Sequence, residues 1–106
     1  MDEKRFLSML GLCRRAGQMI IGTDLVTKAL PSGKIKLVMY AGDSSANTEK
    51  KITDKCRFYN TECVKLTYGG GDIAHAIGKM STVSVVGIAD GNFSQELTLL
   101  LSKETR

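Results

Sequence analysis

The sequence predicts a single α/β domain, a three-layer α/β/α sandwich around a four-stranded, mostly parallel or mixed sheet. Apolar residues at helical spacing alternate with short strand-like apolar runs along the chain. This alternation puts helices on both faces of a sheet and makes neighbouring strands mostly parallel, with room for one antiparallel strand. The length of 106 residues, with 42% apolar and 25% charged side chains, suits one globular domain at residues 1–106.

The first half of the chain predicts two helices and two strands. Asp2 can cap helix one, and a short strand follows at residues 19–21. Helix two is capped by Thr23 and stopped by the turn at Pro31–Gly33. The continuous apolar run 37–41 is typical of a strand covered on both faces. The helical residues expected to face inward are Phe6, Leu7, Leu10, Cys13, Leu25, Val26, Ala29 and Leu30.

The second half predicts three helices and two strands. Asn47, Asp72 and Asn92 are the expected caps of helices three, four and five. The apolar runs 63–66 and 83–88 predict the third and fourth strands. The helical residues expected to face inward are Ile52, Cys56, Tyr59, Ile73, Ile77, Phe93, Leu97, Leu100 and Leu101.

Positive charge is concentrated in the N-terminal part of the chain. The net charge is +4; residues 1–40 carry seven basic and three acidic side chains, whereas residues 41–106 carry eight of each. A polyanionic partner is therefore expected to contact the first forty residues, although a charge of this size also serves solubility alone. The seven basic residues are Lys4, Arg5, Arg14, Arg15, Lys28, Lys34 and Lys36.

The three cysteines, Cys13, Cys56 and Cys63, predict free thiols in a reducing cytoplasm. Their odd number and the lack of a Cys-x-x-Cys pair argue against a disulfide framework and a four-ligand zinc site. Arg14 and Arg15 could lower the pKa of Cys13, but its place on the apolar stripe of helix one favours core packing. No apolar run approaches membrane-spanning length, so we expect no membrane partner.

The sequence offers no convincing catalytic site. His75 is the only histidine, and no orienting partner for it can be identified. The glycine run Gly69–Gly71 before a helix could hold a phosphate, but it matches neither the Walker nor the dinucleotide-binding pattern. We therefore expect no enzymatic activity, no cofactor and no metal, and a small nucleotide-binding enzyme is the least favoured hypothesis.

The segment Ile21–Lys28 is the most informative about function. Gly22 opens helix two, so that a partner's backbone can approach closely, and the N–H groups of the first turn point outward. Lys28 lies one turn after Asp24 on the same face. These groups can grip a nucleic-acid backbone while the Asp24 carboxylate accepts hydrogen bonds from base amino groups. By itself, the pattern is not specific, because most Gly-Thr-Asp helix starts are only caps.

Five ordered segments carry a resemblance to one protein family. They are Gly22–Ala29, Gly33–Val38, Ala41–Ser45, Asn47–Lys51 and Asp72–Lys79. The set spans essentially the whole chain and resembles the kink-turn-binding ribosomal proteins of the large subunit, the L-seven-Ae family, in its small bacterial, ribosomal-protein-like branch.

The resemblance implies an α/β/α sandwich that binds a kink-turn, a sharply bent internal-loop RNA. The start of helix two would enter the opened major groove, and an apolar side chain of the loop before the last strand would pack on bulged nucleotides. The partners so implied are a structured RNA (rRNA or an mRNA kink-turn) and the ribosome. We expect the protein itself to be a monomer. The expected RNA-binding residues are Gly22, Thr23, Asp24, Leu25, Lys28, Lys79, Met80, Ser81 and Thr82, with Arg14, Arg15 and Lys34 from the basic N-terminal part.

Two positions depart from the family pattern Gly-x-Asn-Glu-x-x-Lys. Gly22 and Lys28 match it, whereas Asp24 replaces the Asn and Leu25 replaces the Glu. An ionised Asp only accepts hydrogen bonds, and Leu cannot read a base edge by hydrogen bonding. The leading hypothesis is an RNA-binding accessory protein of translation or ribosome assembly. The alternative is a protein-interaction module of the same fold, since an exposed Leu25 would suit a protein partner.

Overall fold

A computed structural model describes residues 2–104 of the chain and the side chains of residues 4–102. Five helices alternate with four strands, as the sequence predicts. The elements are α1 (Asp2–Arg15), β1 (Met19–Ile21), α2 (Thr23–Ala29), β2 (Leu37–Tyr40), α3 (Ala46–Phe58), β3 (Glu62–Lys65), α4 (Gly70–Ile77), β4 (Val85–Ile88) and α5 (Gly91–Glu104), with a 3-10 turn at Leu30–Ser32 between α2 and β2.

The four strands form one mixed sheet in the order β1-β4-β2-β3. Strand β4 runs antiparallel to both of its neighbours, β1 and β2, whereas β2 and β3 are parallel. The mixed sheet is confirmed. A mostly parallel sheet is not, because β4 lies between β1 and β2 and runs opposite to both of them. In the register, Ile21 of β1 and Met39 of β2 both lie opposite Val86 of β4. Strands β1 and β2 therefore end at the edge of the sheet where β4 begins.

Two hydrophobic clusters, one on each face of the sheet, confirm the three-layer sandwich. On one face, α1, α4 and α5 bury residues such as Phe6, Ile73 and Leu97 against β2 and β4. On the other face, α2 and α3 bury Val26 and Ile52 against the same two strands. The two central strands are buried along their whole length, which explains their continuous apolar runs. None of the helices in the described range is both long and apolar enough to cross a bilayer.

The helix starts differ from the predicted caps. The Ser45 hydroxyl, not Asn47, caps α3 and accepts a hydrogen bond from the Thr48 backbone N–H at 3.2 Å. The Asp90 carboxylate, not Asn92, caps α5 through the Phe93 N–H at 2.9 Å. In both cases the capping residue directly precedes the helix, and its side-chain oxygen accepts a hydrogen bond from a free backbone N–H three residues later.

The starts of α4 and α2 also differ from the predicted caps. Asp43, not Asp72, caps α4, because its carboxylate accepts a hydrogen bond from the Gly70 N–H at 2.9 Å. Asp72 lies inside the first turn of α4. Thr23 is already helical, and no described side chain caps α2, whose N-cap residue is Gly22. The side chain of Asp2, the predicted cap of helix one, lies outside the described part of the chain.

The inward face of helix two is predicted wrongly at Leu25. Val26 is fully buried, whereas the Leu25 side chain is 59% exposed. Consecutive helical residues are turned by about 100°, so Val26 in the core directs its predecessor toward solvent. Leu25 is therefore a surface residue of the segment that the sequence analysis singled out.

Candidate nucleic-acid interface

The antiparallel strand β4 brings together two predicted site segments that are distant in sequence. Gly22 follows the last residue of β1, and the loop Lys79–Thr82 precedes β4. Because β1 and β4 are antiparallel neighbours, the end of one lies beside the start of the other. The Gly22 N–H donates to the Val85 carbonyl at 2.8 Å, which fixes the start of α2 next to this loop. In an all-parallel sheet the two segments would lie at opposite edges.

An open groove of about 510 Å³ occupies this corner of the molecule. One wall is the loop Lys79–Thr82, and the other includes Ile21, the residue before Gly22. Arg14, at the end of α1, also lines it. Five of the predicted RNA-binding residues, Arg14, Lys79, Met80, Ser81 and Thr82, therefore line one groove beside the start of α2.

Gly22 has a backbone conformation that favours glycine. Its φ of 106° and ψ of 146° lie outside the regions that residues with a Cβ ordinarily adopt. A Cβ built on Gly22 meets no described atom within 4 Å, so the space beside it is open. The glycine is therefore required by the backbone turn from β1 into α2, while its surroundings leave room for a partner.

The first turn of α2 carries one acidic and one apolar exposed side chain. The Asp24 side chain is 89% exposed, and its carboxylate pairs with the Lys51 ammonium of α3 at 3.5 Å. Leu25 is exposed beside it, and Lys28 is exposed one turn later. Thr23 is half-buried. Lys51 was not among the predicted site residues; its one signal in the sequence is its position in the segment Asn47–Lys51 that resembles the family.

The loop Lys79–Thr82 is anchored at both ends and exposed in the middle. The Lys79 N–H donates to the Ala74 carbonyl at 2.8 Å, and the Val83 N–H donates to the Gly70 carbonyl at 3.1 Å. Between these anchors the Met80 side chain is fully exposed, at 102% of its reference area. A backbone held at both ends thus presents an apolar side chain to solvent at the groove.

The other seven predicted site residues do not line the groove. Five of them belong to the segment Gly22–Lys28 beside it, and the remaining two, Arg15 and Lys34, lie farther away. Arg15 is exposed at the end of α1, where its guanidinium lies back along the helix near Gly11. Lys34 follows the 3-10 turn and precedes Lys36, whose N–H donates to the Ile88 carbonyl. Ile88 ends β4, so Lys34 lies toward the edge of the sheet opposite to Gly22.

Helix α4 also begins after a glycine, but its N-terminus is closed to an anion. The Asp43 carboxylate binds the Gly70 N–H, and a Cβ on Gly69 would meet an Asp43 oxygen at 2.9 Å. A carboxylate at the helix N-terminus occupies the position of a phosphate and repels one. The structure therefore gives no support to the hypothesis that Gly69–Gly71 binds a nucleotide.

The Cys13 thiol and possible metal-ligand clusters are the other candidate reactive groups that the described residues allow to be judged. Cys13 is fully buried, and burial, with a smaller contribution from the charge of Asp90, raises its pKa to about 11. The predicted core role of Cys13 is confirmed, and the neighbouring arginines do not activate it. Within the described residues, no group of three or more His, Cys, Asp or Glu side chains is arranged to hold a metal ion.

Comparisons with known proteins agree with the fold and with the resemblance. Residues 4–98 match the model of the ribosomal protein L7Ae/L30e/S12e/Gadd45 family. The chain is 37% identical over 101 residues to the RNA-binding protein YlxQ of Bacillus subtilis, covering 95% of this chain and 99% of that protein.

Two solved structures share the architecture. One, a protein of unknown function from Bacillus halodurans, is 37% identical with a TM-score of 0.84, over 92% of this chain and 96% of that one. The other, a 15.5 kD RNA-binding protein of Giardia lamblia, is 16% identical with a TM-score of 0.76, over 96% and 86%. At that identity the second match shows the fold alone.

The match of the family model to nearly the whole chain confirms the resemblance found in the sequence. The family description names ribosomal proteins and the Bacillus subtilis relative is named an RNA-binding protein, which agrees with the expectation that the chain is not an enzyme. This chain belongs to the ribosomal protein L7Ae/L30e/S12e/Gadd45 family, the L-seven-Ae family of the sequence analysis.

Proposed function

We propose that this protein binds structured RNA and recognises a kink-turn-like internal loop. The observation that carries the proposal is the groove that the loop Lys79–Thr82 lines beside the start of α2. Family membership and the name of the Bacillus subtilis relative support RNA as the ligand. A bent RNA presents an opened major groove and unstacked bases close together. It could therefore contact the start of α2 and the loop Lys79–Thr82 at the same time.

The proposed division of roles follows from the side chains. An A-form major groove is too deep and narrow for side chains, so a kink is needed to admit the start of α2. There the open space at Gly22 allows a phosphodiester backbone to approach, and the Asp24 carboxylate accepts hydrogen bonds from base amino groups. The exposed apolar side chains of Met80 and Leu25 cover the faces of unstacked bases.

Basic side chains around the groove would contact phosphates. Arg14 lines it, Lys79 lies in its loop, and Lys28 is exposed on α2. Arg15, next to Arg14 in the chain, would contact a phosphate outside the groove. Lys34 would contact only an RNA that continues past the end of α2. Such contacts position the RNA without reading its sequence.

The cellular role that fits this proposal is that of a monomeric, cytoplasmic accessory protein of translation or ribosome assembly. The RNA would be rRNA or a structured mRNA, and the ribosome the larger partner. The family description, which names ribosomal proteins among its members, supports this choice. The alternative, a protein-interaction module, is favoured by one observation, the 59% exposure of Leu25 at the position of the family's Glu.

The test is a titration with two labelled RNAs at physiological salt. One is a kink-turn hairpin, and the other is the same hairpin with its internal loop closed into regular duplex. We expect tighter binding to the kinked RNA, and we expect Met80→Ala to reduce that preference, because Met80 would cover the unstacked bases. The variant should fold normally, since a fully exposed side chain adds little to stability.

Leu99→Ala, which truncates a half-exposed leucine on α5, is the matched control and should leave both affinities unchanged. Equal, salt-sensitive binding to both RNAs would contradict shape recognition. Binding partners that survive nuclease treatment would then favour the protein-interaction module.

A further inference from the structure

A second exposed surface with RNA-binding chemistry lies on α3, outside the groove. Lys51, Lys55 and Phe58 have the spacing i, i+4, i+7, so they share one face of α3. We call these three residues the α3 platform. With Asp54 and Tyr59 they line an open depression of about 560 Å³.

Phe58 is the unusual member of the platform. Its ring is 79% exposed, yet Tyr59 packs edge-on against it with the ring centroids 4.8 Å apart. Tyr59 itself is half-buried against the core beneath α3. The Phe58 ring is thus supported at one side and open to solvent over most of its surface.

The charge around the platform is favourable for an anion. The one acidic side chain in the depression, Asp54, is held by two basic neighbours, with Lys50 at 3.0 Å and Arg57 at 3.4 Å. Its carboxylate charge is therefore offset locally. The Lys55 side chain is exposed and has no ion-pair partner among the described residues.

The platform is continuous with the proposed RNA interface. Lys51 contacts Asp24 in the first turn of α2, two residues after Gly22. Helices α2 and α3 follow strands β1 and β2, which run in the same direction, and both pack on one face of the sheet. One turn beyond the two residues of the Asp24–Lys51 contact, α2 carries the exposed Lys28 and α3 carries the exposed Lys55. Phe58 lies about 10 Å along α3 from Lys51, a span of roughly three stacked nucleotides.

We propose that the α3 platform binds a single-stranded extension of the RNA held in the groove, with an unpaired base stacked on Phe58 and phosphates on Lys51 and Lys55. This inference rests on the proposed function, because it takes the groove as the point from which the strand continues. An exposed aromatic ring flanked by basic side chains is the arrangement that binds unpaired nucleotides without sequence preference.

The experiment compares the kink-turn hairpin with the same hairpin carrying a six-nucleotide single-stranded tail, placed on either end in turn. The tail contains 2-aminopurine as a fluorescent reporter of stacking. For the wild-type protein we expect one of the tailed RNAs to bind about fivefold or more tightly than the hairpin, with quenched fluorescence, because base–aromatic stacking is worth at least that factor.

Phe58→Ala and Phe58→Leu should both abolish the gain from the tail and the quenching, whereas Phe58→Tyr should retain them. All three should leave the affinity for the untailed hairpin unchanged, since Phe58 lies outside the groove. Leu99→Ala, a change at an exposed apolar residue elsewhere, should leave the gain intact.

The outcomes separate the platform from the groove. A tail gain that persists in Phe58→Ala, or no gain with either tail, overturns the platform while hairpin binding stands; the surface would then be open to a protein partner instead. If the wild type does not prefer the kinked hairpin, the groove proposal fails. A free unstructured oligonucleotide then still tests the platform, which predicts quenching that Phe58→Ala removes.

Discussion

The starts of α2 and α4 look alike in sequence and differ in the structure. Both helices follow glycine, and both begin at the same edge of the sheet. At α2 the N-cap glycine has a positive φ, no described side chain caps the helix, and the space beside it is open. At α4 the Asp43 carboxylate fills the corresponding position. A glycine before a helix therefore indicates an accessible helix start only where no acceptor from elsewhere in the chain occupies it.

The largest expected difference between the two helix starts is in the free energy of unfolding when a glycine is replaced by alanine. Gly22→Ala places a Cβ on a residue with a φ of 106°, and such backbone strain costs on the order of 1–3 kcal/mol. Gly71→Ala, inside the first turn of α4, has open space and no positive φ, so we expect no loss and a gain of up to about 1 kcal/mol. Urea unfolding of both variants measures the difference. Equal free energies of unfolding would show that the turn into α2 does not need glycine.

The closed start of α4 predicts a smaller loss of stability. Asp43→Ala removes the cap of α4 and should lower the free energy of unfolding by about 0.5–2 kcal/mol. Asp72→Ala, which changes the cap expected from sequence, should cost less, because it removes only a favourable charge in the first turn of the helix and no hydrogen bond among the described residues. Thermal and urea unfolding test the order of the two. A larger loss for Asp72→Ala would mean that the contact between Asp43 and Gly70 does not hold α4.

The smallest expected effect is on RNA affinity, when single lysines at the two edges of the sheet are replaced. Lys28→Ala should weaken RNA binding a few-fold and lower the slope of log K against log salt by about 0.7–0.9, the contribution of one phosphate contact. Lys36→Ala is the control, since Lys36 is exposed at the opposite edge, where its N–H bonds Ile88. An identical salt slope for both variants would remove Lys28 from the interface.

The sequence predicted where the helices and strands lie and, for α3, which face of the helix is buried. The alternating apolar patterns predicted all nine helices and strands of the described range, and the strand at 19–21 has the predicted bounds. The buried face of α3, through Ile52 and Cys56, also follows from spacing alone. These features are local, because the side chains that decide them are neighbours along one helix or strand.

The features that could not be predicted depend on contacts between distant residues. The direction of β4 depends on how it packs between β1 and β2, and this direction alone brings Gly22 beside the loop Lys79–Thr82. The cap of α4 comes from Asp43, 27 residues before Gly70. The pairing of Asp24 with Lys51 depends on α2 and α3 lying side by side. The segments of the candidate site were thus predictable, whereas their position side by side at one corner of the molecule was not.

The most direct test of the account is an NMR titration of the labelled protein with the kink-turn hairpin. If the open start of α2 and the facing loop form one RNA interface, the amide signals of residues 22–25 and 79–82 shift together, at the same RNA concentration. The signals of residues 69–71, at the closed start of α4, stay in place. Shifts at residues 69–71 without shifts at 22–25 would contradict the account and assign RNA binding to the other helix start.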